Sequence, residues 1–137
     1  MEKHILLNKI ITDMKIASDK MALLFILGEE EIIARADADC CSHTWIENVE
    51  LPVNGFPAKV ISVTNLNLPD SGDPELAFYG LKIQTDKGDI IIDYRNESNG
   101  YYGGDLVWPS VDEDDYSHFY GGVYGQNISN NEWKEIV

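Results

Sequence analysis

Basic residues are scarce in this chain of 137 residues, which has 10 Lys plus Arg against 24 Asp plus Glu. The net charge of −14 argues against a nucleic-acid-binding protein, because affinity for a phosphate backbone comes mainly from basic side chains that displace counterions. A basic protein remains a suitable partner. With 44% hydrophobic residues the chain is too apolar for an acidic disordered protein, so we expect a single domain over residues 1–137.

Long apolar runs are also missing. A membrane-spanning helix needs roughly 18 to 20 apolar residues, whereas the longest run here covers residues 21–27 and stops at Gly28. The N-terminus has an acid beside its lysine and only a short apolar stretch, so no signal peptide is expected. These features predict a protein that does not bind membranes and that is located in the cytoplasm.

The chain has only two cysteines, Cys40 and Cys41, and they are adjacent. A disulfide between neighbours closes a small strained ring, so we expect reduced thiols. His43 and His118 could add imidazoles for zinc, but zinc sites separate paired cysteines by about two to four residues. Acidic neighbours disfavour the thiolate that a cysteine nucleophile needs. The sequence therefore predicts no metal site, no cofactor and no catalytic residue.

Alternating apolar and polar residues predict β-strands over most of the chain. Ser42 or Thr44 could cap a short helix over residues 45–49, and a helix over residues 18–36 competes with the first strands, although Gly28 counts against it. The expected class is α+β, mostly antiparallel sheet with one or two short helices, and all-β is the alternative. Strands are expected over residues 10–17, 21–27, 31–38, 59–66, 76–85, 89–94 and 101–108.

Two strings resemble an uncharacterised domain family found in phage and bacterial genomes. They are DCCSHTWIE at residues 39–47 and RNESNGYYGG at residues 95–104, and the family pattern also implies the stretch YGLKIQTDKG just before the second string. The resemblance covers about residues 5–104 and implies no activity. We expect residues 5–108 to form a family-like β core, with residues 109–137 as an acidic aromatic C-terminal extension outside it.

The second string also suggests a pocket for a small anionic ligand such as a nucleotide. An arginine could bind the phosphate while a tyrosine stacks on the base. A tight turn followed by tyrosines on one sheet face would explain the same residues. The possible pocket residues are Arg95, Asn96, Asn99, Tyr101 and Tyr102.

The C-terminal extension combines carboxylates with aromatic residues. Carboxylates speed association with a cationic surface, and aromatic side chains supply rigid contact area. A solvated acidic tail is the alternative, but the number of aromatic residues favours a binding surface. The predicted partner-binding residues are Asp112, Glu113, Asp114, Asp115, Tyr116, Phe119, Tyr120 and Tyr124.

These observations predict a non-catalytic acidic binding protein. Its most concrete form is a cytoplasmic immunity protein that neutralises a basic toxin, for example a nuclease, by covering the cationic active surface. This comparison rests on physical character and is an analogy. The alternative is a phage-type protein that binds or sequesters a nucleotide.

Overall fold

The computed structural model describes residues 4–38, 42–69, 71–98, 104–109 and 132–136. Within these ranges it contains ten β-strands and no helix, so the predicted α+β class is wrong and the alternative, all-β, is correct. The strands are β1 (Ile10–Ile11), β2 (Asp13–Ala17), β3 (Ala22–Leu27), β4 (Glu30–Ala38), β5 (His43–Glu50), β6 (Ala58–Leu66), β7 (Leu76–Thr85), β8 (Gly88–Glu97), β9 (Gly104–Val107) and β10 (Trp133–Glu135).

The strands form two five-stranded antiparallel sheets. Sheet I has the order β1-β6-β7-β8-β5, and sheet II has the order β10-β2-β3-β4-β9. The predicted meander is confirmed as β2, β3 and β4, and the predicted hairpin around residues 86–88 is confirmed as β7 and β8. Among the described residues, no helix has the length and hydropathy that crossing a membrane requires.

Among the described strands, the chain passes between the sheets at three places. Only Thr12 separates β1 in sheet I from β2 in sheet II, and its backbone N–H and side-chain hydroxyl both donate to the Ile26 carbonyl. The second passage leads from Ala38 at the end of β4 to His43 at the start of β5, and the third leads from Glu97 at the end of β8 to Gly104 at the start of β9. Strands that change sheets in this way form corners between two packed sheets.

One hydrophobic core joins the inner faces of the two sheets. Phe25 and Leu23 come from β3, while Ile90 and Ile92 come from β8, and all four are fully buried. Ala22 is also fully buried, but it packs with Trp133 on the opposite face of sheet II. Because β3 is buried on both faces, its sequence is a continuous apolar run with no alternation.

The predicted helix over residues 45–49 is wrong, because these residues belong to β5 and pair with β8. Thr44, Ile46 and Val49 are the buried residues of this strand. A bulge at Glu47 lengthens the spacing between the last two from two residues to three. A spacing of three is also found on a helix face, so the bulge hides the alternation that identifies a strand.

Candidate functional site

The two strings that resemble the domain family lie side by side in the fold. His43 in β5 pairs with Glu97 in β8, and Trp45 pairs with Arg95. On the other side of the passage between the sheets, Ala38 in β4 pairs with Gly104 in β9. Residues 39–41 and 99–103 lie outside the described residues. The strings are therefore paired with each other in sheet I, and the residue before the first string is paired with the last residue of the second string in sheet II.

Arg95 lies on the outer face of sheet I, in β8 beside the edge strand β5. Its guanidinium carbon is 4.3 Å from the centre of the Phe78 ring, which is a cation–π contact. One terminal nitrogen is 3.3 Å from an Asp93 carboxylate oxygen, and the other is 4.0 Å from a Glu47 carboxylate oxygen. The side chain is 29% exposed, so its positive charge is held and largely neutralised by its neighbours.

Trp45 and His43 form an aromatic pair next to Arg95 on the edge strand β5. Their rings are stacked, with centroids 5.3 Å apart and planes inclined by 19°. The indole N–H of Trp45 donates to a Glu47 carboxylate oxygen at 2.9 Å. Glu47 thus contacts both Trp45 and Arg95 and fixes the indole in place. His43 is exposed and Trp45 is half-buried, so part of the pair is available to a partner.

The turn between β2 and β3 approaches the free side of β5. The backbone N–H of Ile46 donates to the Lys20 carbonyl at 2.8 Å, which holds the turn against the strand. Between them lies a shallow depression of about 360 Å³. Its lining residues are Asp19, Lys20, His43, Trp45 and Glu97.

The outer face of β5, β7 and β8 has an excess of negative charge. Two cations lie there, Arg95 and Lys82, and Lys82 is 3.6 Å from the Asp89 carboxylate. Five carboxylates against two cations leave an excess of three negative charges. The five carboxylates belong to Glu47, Glu50, Asp89, Asp93 and Glu97. We call the outer surface of these three strands, together with the depression, the acidic aromatic face.

The opposite side of β8 faces the core. Asn96 is 1% exposed, and its side-chain N–H donates to the Thr44 hydroxyl at 2.9 Å. Tyr94 stacks on Tyr79 at a centroid distance of 5.2 Å. Burial raises the pKa of the Tyr94 hydroxyl to about 12, and the nearby Asp105 carboxylate, which accepts its hydrogen bond, adds to this effect. These groups stabilise the fold and are not accessible to a ligand.

The structure describes two of the predicted nucleotide-pocket residues and places their side chains on opposite faces of β8. Arg95 is on the outer face of β8, whereas the Asn96 side chain is buried on the inner face. The other three residues of that prediction, Asn99, Tyr101 and Tyr102, lie outside the described residues.

The predicted partner-binding residues all lie outside the described ranges, as do Cys40, Cys41 and His118. These residues are Asp112, Glu113, Asp114, Asp115, Tyr116, Phe119, Tyr120 and Tyr124. Within the described part of the chain, no three His, Cys, Asp or Glu side chains are grouped as a metal ion would require.

Sequence reasoning missed Trp45, Phe78 and Glu97 as surface residues of a site. A signal for Trp45 is present, because His43, Trp45 and Glu47 alternate with the buried Thr44 and Ile46. No local signal places Phe78 beside Arg95, since that contact depends on the pairing register of β7 and β8.

A family model described as Domain of unknown function (DUF7448) matches residues 4–108. The chain belongs to this family. The expectation of an uncharacterised domain family over this part of the chain is therefore confirmed. The DUF7448 match includes strands β1 to β9 and the whole acidic aromatic face, whereas β10 lies beyond it. Its first and last residues, His4 and Trp108, contact each other, with ring centroids 4.5 Å apart.

No curated protein and no solved structure matches the chain.

Proposed function

We propose that this protein is a non-catalytic acidic binding protein that recognises a basic protein partner through the acidic aromatic face. The observation that carries the proposal is the stacked pair of Trp45 and His43, which is partly exposed and flanked by carboxylates on the same sheet face. Buried aromatic contacts supply most of the binding energy of typical protein interfaces, and surrounding charges direct association and select the partner.

The contacts that hold the Trp45 side chain in place support a role in recognising a partner. Glu47 holds the Trp45 indole through a hydrogen bond of 2.9 Å and also lies 4.0 Å from Arg95. Because these contacts fix the aromatic side chain before a partner arrives, less conformational entropy is lost on binding. The net charge of −14 would attract a cationic partner over a long range and raise the association rate.

The most concrete form of the proposal is an immunity protein that neutralises a basic toxin, for example a nuclease. The active surface of a nuclease is cationic because it must bind phosphates, so an acidic protein can occupy it. The resemblance to phage and bacterial domains suits such a role. The two adjacent cysteines, Cys40 and Cys41, suit a reducing compartment, and we place the proposed function in the cytoplasm.

The acidic aromatic stretch of the C-terminal region would add to this surface. The chain leaves β9 at one edge of sheet II and returns as β10 at the other edge. The stretch predicted from the sequence to bind the partner falls between these two strands. Both of its ends are therefore attached to the domain that carries the acidic aromatic face.

Nucleotide binding through Arg95 stays a prediction. The guanidinium is engaged with Asp93, Glu47 and the Phe78 ring, and a phosphate would have to displace two carboxylates. The geometry does not favour this alternative.

Co-expression tests the proposal. The chain is expressed together with the product of the neighbouring upstream gene, and growth of the cells reports toxicity. We expect the wild-type chain to restore growth, and Trp45→Ala to lose at least part of this protection. Failure of the wild-type chain to reduce toxicity, together with recovery of no basic partner from the native host, would overturn the proposal.

A matched pair of variants then tests the face itself. Glu50→Gln with Glu97→Gln removes two charges from the face, and Glu29→Gln with Glu31→Gln removes two exposed charges at the start of β4. We expect the first pair to slow association with the basic partner more than the second and to weaken its salt dependence. Equal effects of the two pairs would show that only net charge matters and that the face is not the binding surface.

A further inference from the structure

The depression beside β5 combines aromatic walls with carboxylates. Its walls are the stacked rings of Trp45 and His43, with Glu97 on the β8 side and Asp19 on the side of the turn between β2 and β3. Flat aromatic surfaces and carboxylates together make a site for a cation that also has an apolar or planar face.

We propose that this depression binds an arginine side chain of the partner protein. The inference rests on the proposed function, because it names the group of the basic partner that this surface would accept. A guanidinium is planar, so it can lie against an aromatic ring while its N–H groups donate to a carboxylate. A lysine ammonium is a compact charge with strong hydration and uses a flat wall less well.

Glu97 is the carboxylate best placed to accept the guanidinium. It is exposed, it is opposite His43 in the register of β5 and β8, and no described residue forms an ion pair with it. Asp19 is already used in part, because one of its carboxylate oxygens accepts the Met21 backbone N–H at 3.0 Å. We therefore assign the main electrostatic contact to Glu97.

Arg95 shows the same kind of recognition within the chain. Its guanidinium packs on Phe78 and meets the carboxylates of Asp93 and Glu47. Trp45, which is opposite Arg95 in the neighbouring strand, also lines the depression. An arginine from a partner would therefore repeat, next to Arg95, an arrangement that this sheet face already forms.

Lys20 also lines the depression and supplies a competing positive charge. Its backbone has a φ of 63°, a conformation that asparagine adopts readily. Lys20→Asn removes the charge while keeping the turn, so this variant should bind a cationic side chain more tightly than the wild type.

Titration of the full-length protein with N-acetyl-arginine amide, followed by NMR, tests the inference. The indole N–H of Trp45 is the reporter, and the indole signals of Trp108 and Trp133 are internal controls. We expect a saturable shift of the Trp45 signal, with a Kd on the order of millimolar for a single side chain. N-acetyl-citrulline amide, which has the same shape without the charge, should leave the signal in place.

Variants test whether Glu97 makes the main electrostatic contact with the guanidinium. Glu97→Gln should weaken binding of N-acetyl-arginine amide about threefold, the factor expected for one exposed ion pair, and Lys20→Asn should strengthen it. Glu31→Gln, which removes an exposed carboxylate on β4 outside the acidic aromatic face, is the control and should change little. Dispersed NMR spectra of each variant show that it is folded.

The inference is overturned if the Trp45 signal does not respond, if citrulline or lysine amides bind equally well, or if Glu97→Gln has no effect. These outcomes leave the proposed function standing, since that is tested by neutralisation of the partner. Conversely, if the protein binds arginine amide but protects against no basic partner, only the proposed function is overturned.

Discussion

Asn96 and Thr44 form a hydrogen bond of 2.9 Å between two side chains that are 1% and 0% exposed. The bond connects β8 and β5 inside the core, directly beneath the outer pair of Arg95 and Trp45. The side-chain amide oxygen Oδ1 of Asn96 has no hydrogen-bond partner within the described chain. The cost of burying this amide is therefore offset mainly through Thr44.

Because of this hydrogen bond, we expect the losses of stability caused by substituting Asn96 and Thr44 to be coupled. Asn96→Ala should lower the free energy of unfolding by about 1 to 3 kcal/mol, and Thr44→Val should lower it as well, because it leaves the buried Asn96 N–H groups unpaired. The double variant should lose less than the sum of the two, by about 1 kcal/mol. Urea unfolding of all four proteins measures this coupling, and additive losses would show that the bond does not contribute.

The raised pKa of Tyr94 predicts that the protein loses stability at alkaline pH. Burial is the main cause that raises its pKa to about 12 in the folded chain, whereas a tyrosine in the unfolded chain has a pKa near 10. The neutral hydroxyl is thus favoured by folding. Its contribution is complete below about pH 10 and is lost as the pH rises through about 12, by roughly 2 to 3 kcal/mol in total.

Comparison with Tyr94→Phe isolates this effect from the other titrating groups. The variant should be less stable at neutral pH by about 1 kcal/mol, because the hydrogen bond to Asp105 is lost. Between pH 10 and 12 the wild type should lose this advantage and then become the less stable of the two proteins, since phenylalanine does not ionise. Chemical denaturation at several pH values gives the difference. A constant difference across this range contradicts the raised pKa.

The packing of Trp133 predicts that β10 stabilises the domain, although β10 lies beyond the DUF7448 match. Trp133 pairs with Ala17 at the edge of sheet II and packs near Ala22 and Ile33. Trp133→Ala should lower the free energy of unfolding by about 1 to 3 kcal/mol, because apolar contact is lost. Lys134→Ala on the same strand is the control, since its side chain is exposed. Equal unfolding midpoints for the two variants would show that β10 contributes little.

Much of the fold is predictable from local patterns. In β8 the buried Ile90, Ile92 and Tyr94 alternate with less buried residues, so the strand is visible in the sequence alone. In β5 the bulge at Glu47 interrupts this alternation, so the sequence predicts a short helix there instead of a strand. The pairing of Trp133 with Ala17 could not be predicted, because three residues far along the chain give no signal of their partner.

The candidate site is harder to predict than a single strand, because it depends on contacts between residues that are far apart in sequence. The identity of Trp45 and Arg95 as neighbours follows from the register of two strands that are far apart in sequence. Register is set by the three-dimensional packing of the buried residues and by turn geometry, and neither is encoded in a short window. The approach of Lys20 to Ile46 is a further contact of this kind.

Strand pairing holds both ends of the two segments that join the sheets beside β5. Ala38 pairs with Gly104 in sheet II, and His43 pairs with Glu97 in sheet I. The second of these pairs belongs to the register of β5 against β8. A slip of this register by one residue would turn Trp45 inward and Thr44 outward, because neighbouring residues of a strand face opposite sides. The pairing that joins β5 to β8 therefore also decides which side chains of β5 reach the surface.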